Sequence, residues 1–117
     1  MKEASQALSP LAKVTAKALE VGAQELEVEY KSGWEEVCAM RGNFGVGIAR
    51  FKASSEEGSG LREQLWEISK KPARIDILGT TYRVRARRFD SFGEVAFRVT
   101  IDAAQPRHAA GGKPRRR

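Results

Sequence analysis

In the stretch ELEVEY, residues 25–30, apolar and acidic side chains alternate. Successive side chains of a β-strand point to opposite faces of the sheet, so this alternation predicts a strand with one buried and one solvated face. The residues that we expect to point into a core are Leu26, Val28 and Tyr30. Those that we expect to point to solvent are Glu25, Glu27 and Glu29.

Two more strands are predicted directly after this one. Ser32-Gly33 is a turn signal, and residues 34–40 form the second arm of a hairpin with the first strand. Gly42-Asn43 then predicts another turn before a third extended stretch at residues 44–51.

A predicted helix precedes each group of strands. The first runs over residues 10–21, because Ser9-Pro10 is a helix start signal and apolar residues recur after it at helical spacing. The second covers about residues 55–70, where serines and glutamates suit the first turn and Pro72 ends the helix.

The C-terminal part of the chain predicts three strands, of which the middle one is basic. Residues 75–78 and 82–88 form a hairpin around Gly79-Thr80, and three arginines alternate with apolar residues along its second arm. These arginines are Arg83, Arg85 and Arg87. After a turn at residues 90–93, a last strand points Arg98 outward and points inward Val95, Phe97, Val99 and Ile101.

The element order is therefore αβββαβββ. Two helices for five or six strands indicate an α+β protein, a two-layer sandwich of a mostly antiparallel sheet with both helices on one face. The opposite face of the sheet is then left open, and the charged residues of the strands lie on it.

Length and charge place one folded domain at residues 1–102 and a disordered basic tail at residues 103–117. A chain of 117 residues fits a single core. Five of the 21 cations and none of the 15 acids lie in the tail, so the net charge of the remainder is +1. With one cysteine and no apolar run of about 18 residues, we expect a cytoplasmic protein without membrane insertion.

The residue types that catalysis needs are not assembled in the sequence. His108 is the only histidine and lies in the tail, so a triad or a histidine metal site has no supporting groups. Cys38 alternates with Met40 and is interpreted as a buried hydrophobe, while the pair Glu35-Glu36 is interpreted as solvated. We expect no enzyme activity, no metal and no cofactor.

The candidate site is the row of arginines on the late strands: Arg83, Arg85, Arg87 and Arg98. One interpretation is structural, with these arginines paired to the glutamates of residues 25–29 across the sheet. The other is functional, with guanidinium groups facing the phosphates or carboxylates of a partner. The sequence leaves both interpretations open.

Five short segments carry a resemblance to a known family: 21-VGAQELE-27, 40-MRGN-43, 85-RAR-87, 93-GE-94 and 97-FRV-99. Together with the order αβββαβββ, residues 12–101 resemble the PAS-like domain that precedes the ATPase core of secretion and type IV pilus assembly ATPases. The resemblance implies that Arg85, Arg87 and Arg98 lie where that family contacts nucleotide phosphates. No Walker motif follows here, so it also implies a module that acts through a partner.

We therefore expect a non-catalytic interaction or regulatory domain that docks on a protein partner through its charged sheet face. The alternative is a weak nucleic-acid-binding protein that uses the arginine row and the basic tail. An enzyme based on Cys38 or on unrecognised carboxylates is the third hypothesis.

Overall fold

The computed structural model describes residues 9–104, which form two helices and six strands. The elements in chain order are α1 (Pro10–Glu20), β1 (Glu25–Lys31), β2 (Trp34–Arg41), β3 (Phe44–Lys52), α2 (Glu56–Lys70), β4 (Ala73–Ile77), β5 (Thr80–Ser91) and β6 (Glu94–Ala103). The predicted α+β class and the order αβββαβββ are confirmed. The predicted tail lies outside the described residues, apart from Ala103, which ends β6, and Ala104.

Serine caps start both helices, as their sequences predict. The Ser9 hydroxyl accepts a hydrogen bond from the Ala12 amide at 3.2 Å, and the Ser55 hydroxyl accepts one from the Gly58 amide at 3.0 Å. Each bond satisfies one of the amides that a helix leaves free in its first turn. No helix among the described residues is long and apolar enough to cross a membrane.

The six strands form one sheet in the order β3-β2-β1-β6-β5-β4, and every neighbouring pair is antiparallel. Two-residue turns join the strands within each half of the sheet. The first and last strands of the chain, β1 and β6, meet in the middle, where Glu27 lies opposite Arg98. Residues about 70 positions apart in the sequence thus become neighbours.

Both helices pack on one face of this sheet. The core residues from α1 are Leu11, Val14 and Ala18, and those from α2 are Leu61, Leu65 and Ile68. They enclose sheet residues that include Leu26, Val28, Val37, Val84, Phe97, Val99 and Ile101. The side chains at the intervening strand positions point away from the helices, and we call the surface that they form the open face.

The prediction that Cys38 is buried on an apolar strand face with Met40 is wrong. Cys38 lies opposite Glu27 of β1, and Met40 lies opposite Glu25, so both point to the open face and are half-buried. The core positions of β2 are instead taken by Val37 and Ala39. All four residues are apolar, so alternation alone could not tell which pair points inward.

Two other inward positions differ from the prediction. Tyr30 is 36% exposed and Val95 is 39% exposed, although both alternate in register with core residues. They lie near the ends of β1 and β6, beside the turns Ser32-Gly33 and Phe92-Gly93. Both side chains are therefore partly in solvent at the ends of their strands.

Candidate anion-binding surface

The strand register brings the four predicted arginines onto the open face. On β5, Arg83 lies opposite Asp102 of β6, Arg85 lies opposite Thr100, and Arg87 lies opposite Arg98. The side chains of the three β5 arginines are exposed, whereas Arg98 is half-buried. The four arginines therefore share a face of the sheet but differ in exposure to solvent.

Arg98 is paired with the glutamates of β1. Its guanidinium lies 3.3 Å from a carboxylate oxygen of Glu25 and donates a second hydrogen bond to Glu27. The hydrogen bond that Arg98 donates to Glu27 raises the pKa of Arg98 above its already high ordinary value. For Arg98 the structural interpretation therefore holds, and most of its charge is neutralised within the sheet.

The β5 arginines differ from Arg98 in this respect. Within residues 9–104, no carboxylate lies within ion-pair distance of the guanidinium of Arg83, Arg85 or Arg87. Arg74 of β4 lies opposite Arg83 and is also exposed. Two exposed aspartates, Asp76 and Asp102, lie on the same face beside them. We call the four arginines the basic half of the open face.

The other half of the open face is acidic. Glu25, Glu27 and Glu29 on β1 adjoin Glu36 on β2, where Glu29 lies opposite Glu36. Cations on β1 and β3 offset part of this charge, since Lys31 lies 3.5 Å from Glu29 and Arg50 lies 3.9 Å from Glu36. The glutamates of the open face thus lie on β1 and β2, which we call the acidic half, and Lys31, Arg50 and Lys52 lie on the same face beside them.

A depression of about 420 Å³ marks the boundary between the two halves. It is lined by Glu25, Arg85, Ala86, Arg87, Arg98 and Thr100. Guanidinium groups present several donors in a planar fork that matches carboxylate and phosphate oxygens. The lining is therefore suited to hold an anion, and it contains no thiol or imidazole that would act on one.

The residues considered for catalysis do not line this depression. Cys38 lies on the open face near Glu27, and burial raises the pKa of its thiol. His108 lies outside the described residues. Within the part of the chain that the structure describes, no three side chains of histidine, cysteine, aspartate or glutamate come together in a way that could hold a metal ion.

The prediction that Glu35 is solvated is wrong. Its side chain is 3% exposed, and Arg62 of α2 donates to its two carboxylate oxygens from Nε and Nη2, each at 2.8 Å. The same guanidinium donates to the Val95 carbonyl at 3.2 Å. The signal in the sequence for its burial is that residue 35 alternates with Val37 and Ala39, which are core residues of β2.

Comparison with protein-family models finds no match to this chain, and comparison with curated proteins finds none either.

Proposed function

We propose that this protein is a non-catalytic interaction domain that binds an acidic surface of a protein partner through the basic half of its open face. The observation that carries the proposal is the exposure of Arg83, Arg85 and Arg87 and their lack of ion pairs among the described residues. They are exposed at alternate positions of one strand, and no carboxylate of residues 9–104 pairs with them. Like charges held side by side raise the local potential and attract acidic groups.

A protein partner fits the open face better than a nucleic acid does. A nucleic acid carries negative charge along its whole length, and beyond β6 it would meet the glutamates of β1 and β2. A protein surface with both signs of charge is complementary to the two halves together. No aromatic ring lines the depression between them, so base stacking has no platform there.

The resemblance to the PAS-like domain of secretion and pilus ATPases stays a prediction and is consistent with this proposal. It implies contacts from Arg85, Arg87 and Arg98 to phosphates. Arg98 already donates to Glu25 and Glu27, so we assign the docking role to Arg85 and Arg87. The single thiol, Cys38, suits a reducing compartment, and we propose that the domain works in the cytoplasm.

Affinity capture from the native cell, with the lysate treated with nuclease, tests the proposal. We expect the wild-type protein to retain a partner with an acidic surface, and the double variant Arg85→Glu/Arg87→Glu to lose it. The control is Arg41→Glu/Lys52→Glu, which changes the net charge equally at exposed positions on β2 and β3. It should retain the partner, because these strands are several strand spacings from β5.

Two results would contradict the proposal. One is equal loss of the partner in both double variants, since the location of the charge would then be irrelevant. The other is capture that nuclease abolishes, with a logarithm of affinity that falls steeply with the logarithm of salt concentration. That result would support the nucleic-acid alternative, and deletion of residues 103–117 should then reduce the slope.

A further inference from the structure

The strand that carries the exposed arginines is only partly covered at its outer edge. β5 spans twelve residues, but β4 has five and pairs only with residues 80–84 of β5. Residues 85–91 of β5 pair with β6 on one side and, within residues 9–104, with no strand on the other. Residues 85–91 thus have no strand partner on this side in the described part of the chain.

The hairpin turns determine which backbone groups this edge presents. In a hairpin with a two-residue loop, the two residues that flank the loop exchange both backbone hydrogen bonds. Ile77 and Thr80 flank one loop, so the even-numbered residues of β5 bond toward β4. Ser91 and Glu94 flank the other loop, so the odd-numbered residues bond toward β6. The unpaired N–H and C=O groups therefore belong to Ala86, Arg88 and Asp90.

A groove of about 400 Å³ runs between this edge and α2. Trp66 and Ser69 of α2 form one wall, and backbone and side chains of residues 86–90 form the other. The Trp66 ring packs edge-on against Phe97 at 5.5 Å between centroids, and the Arg88 guanidinium lies 5.0 Å from the Trp66 centroid. The groove thus combines a fixed aromatic surface with free main-chain hydrogen-bonding groups.

The charges around the groove select an acidic occupant. Arg85 and Arg87 point to the open face, Arg88 points to the helix side, and Asp90 is the only acidic residue in the lining. On the other edge strands, β3 has two cations, Arg50 and Lys52, of which Arg50 lies 3.9 Å from Glu36, and β4 has one, Arg74. An added strand with negative side chains therefore meets more arginines along residues 85–88 of β5 than along either of these edges.

We propose that the partner contributes an extended acidic segment that adds to the sheet as a further strand alongside residues 85–91 of β5. Strand addition of this kind draws affinity from main-chain hydrogen bonds and specificity from alternate side chains. Acidic side chains of the segment face Arg85 and Arg87, and apolar side chains between them face Trp66. This inference rests on the proposed function, because it specifies how the basic half holds its partner.

The sheet already contains a strand with the required pattern. In β1, Glu27 reaches the guanidinium of Arg98 while Leu26 and Val28 lie in the core. The alternation of acidic and apolar residues in ELEVEY is therefore compatible with this sheet on both of its faces. A labelled peptide, acetyl-Glu-Val-Glu-Leu-Glu-Val-Glu-amide, follows the same alternation and serves as the probe.

Amide hydrogen exchange, resolved by NMR, tests the mode of binding. At saturation with the probe, we expect the amides of Ala86, Arg88 and Asp90 to exchange at least about tenfold more slowly, because each gains a partner or lies beside one. The amides of Arg85, Arg87 and Phe89 should not change, since they already bond to β6. A peptide of the same composition with its four glutamates in one block is the control and should bind more weakly.

Two modifications remove a single hydrogen bond between the strands. Ala86→Pro eliminates an outward N–H and leaves the bonds to β6 intact, so it should weaken probe binding about tenfold without changing net charge. Methylation of one probe amide that faces β5 should have the same effect on the unmodified protein. Methylation of the alternate amides should have little effect.

Failure of the strand-addition proposal can be distinguished from failure of the proposed function. If the probe binds and Arg85→Glu/Arg87→Glu abolishes binding, but the even-numbered amides keep their exchange rates, strand addition is wrong and docking through the arginines stands. If the probe does not bind while the captured partner is still lost from the same double variant, strand addition is likewise overturned. If that variant retains both ligands, both proposals fail.

Discussion

Glu35 is the residue whose environment departs most from what its type suggests. A carboxylate buried without a partner is costly, and here Arg62 supplies two hydrogen bonds that align with both oxygens. The guanidinium also lies 5.3 Å from the centroid of Phe97 and bonds to the Val95 carbonyl. One side chain of α2 thereby fastens the helix to β2 and β6.

Replacement of Glu35 by glutamine keeps its shape and removes its charge. We expect Glu35→Gln to lower the free energy of unfolding by about 2 to 3 kcal/mol, because the Arg62 guanidinium would lose its charged partner in a largely buried position. The matched control is Glu36→Gln on the open face, where the change should stay below about 0.5 kcal/mol. Urea denaturation of both variants measures the difference, and equal losses would contradict this account of the pair.

At the scale of single residues, the sequence predicted polar patterns better than apolar ones. Arg83, Arg85 and Arg87 lie on one face because a single apolar residue, which favours the core side, separates each from the next. Along β2 every position from Val37 to Met40 is apolar, so the pattern contained no contrast. The buried partner of Glu35 lies 27 residues away and could not be identified before the fold was known.

Among the secondary-structure elements, α2 shows how two similar residues take different roles. An added Cβ at Gly58 would lie 2.1 Å from the Lys52 carbonyl oxygen, so the first turn of the helix approaches the end of β3 closely. At Gly60 the nearest atom to such a Cβ is Cγ of Pro10 at 3.7 Å, which is ordinary contact. The sequence alone assigns both glycines the same low helix propensity.

These distances predict opposite effects of the same substitution. Gly58→Ala should destabilise the protein by about 1 to 3 kcal/mol, because helix and strand would have to separate. Gly60→Ala should stabilise it by about 0.5 to 1 kcal/mol, since alanine favours the helix and no atom has to move. Thermal unfolding of the two variants gives the sign of each change. Stabilisation by both would show that the close approach to Lys52 is absent.

Element boundaries could be predicted because the chain marks them with specific residues. Serine caps, Pro72 and glycine-containing turns set the limits of helices and strands to within a few residues of those observed. The largest extension is β5, which continues to Ser91 beyond the predicted end at residue 88. That extension lengthens the edge beside α2 that β4, which begins after Pro72, does not cover.

At the scale of the whole molecule, the strand order is the feature that the sequence did not reveal. Alternation predicted an open face, but only the pairing of β1 with β6 shows that Arg98 is joined to Glu25 and Glu27. The same order places the β5 arginines away from the acidic strand. Both interpretations of the arginine row are thus present in one sheet, the structural one at Arg98 and, in our proposal, the functional one on β5.

The central claim is that Arg85 and Arg87 are available to an acidic protein segment, whereas Arg98 is committed to the sheet. NMR spectra of the arginine Nε–Hε groups, recorded during titration with the acidic probe peptide and with an oligothymidylate of equal charge, test it most directly. We predict that the Arg85 and Arg87 signals shift with the peptide and saturate while the Arg98 signal stays in place. Unchanged Arg85 and Arg87 signals, or saturation with the oligothymidylate alone, would contradict the account.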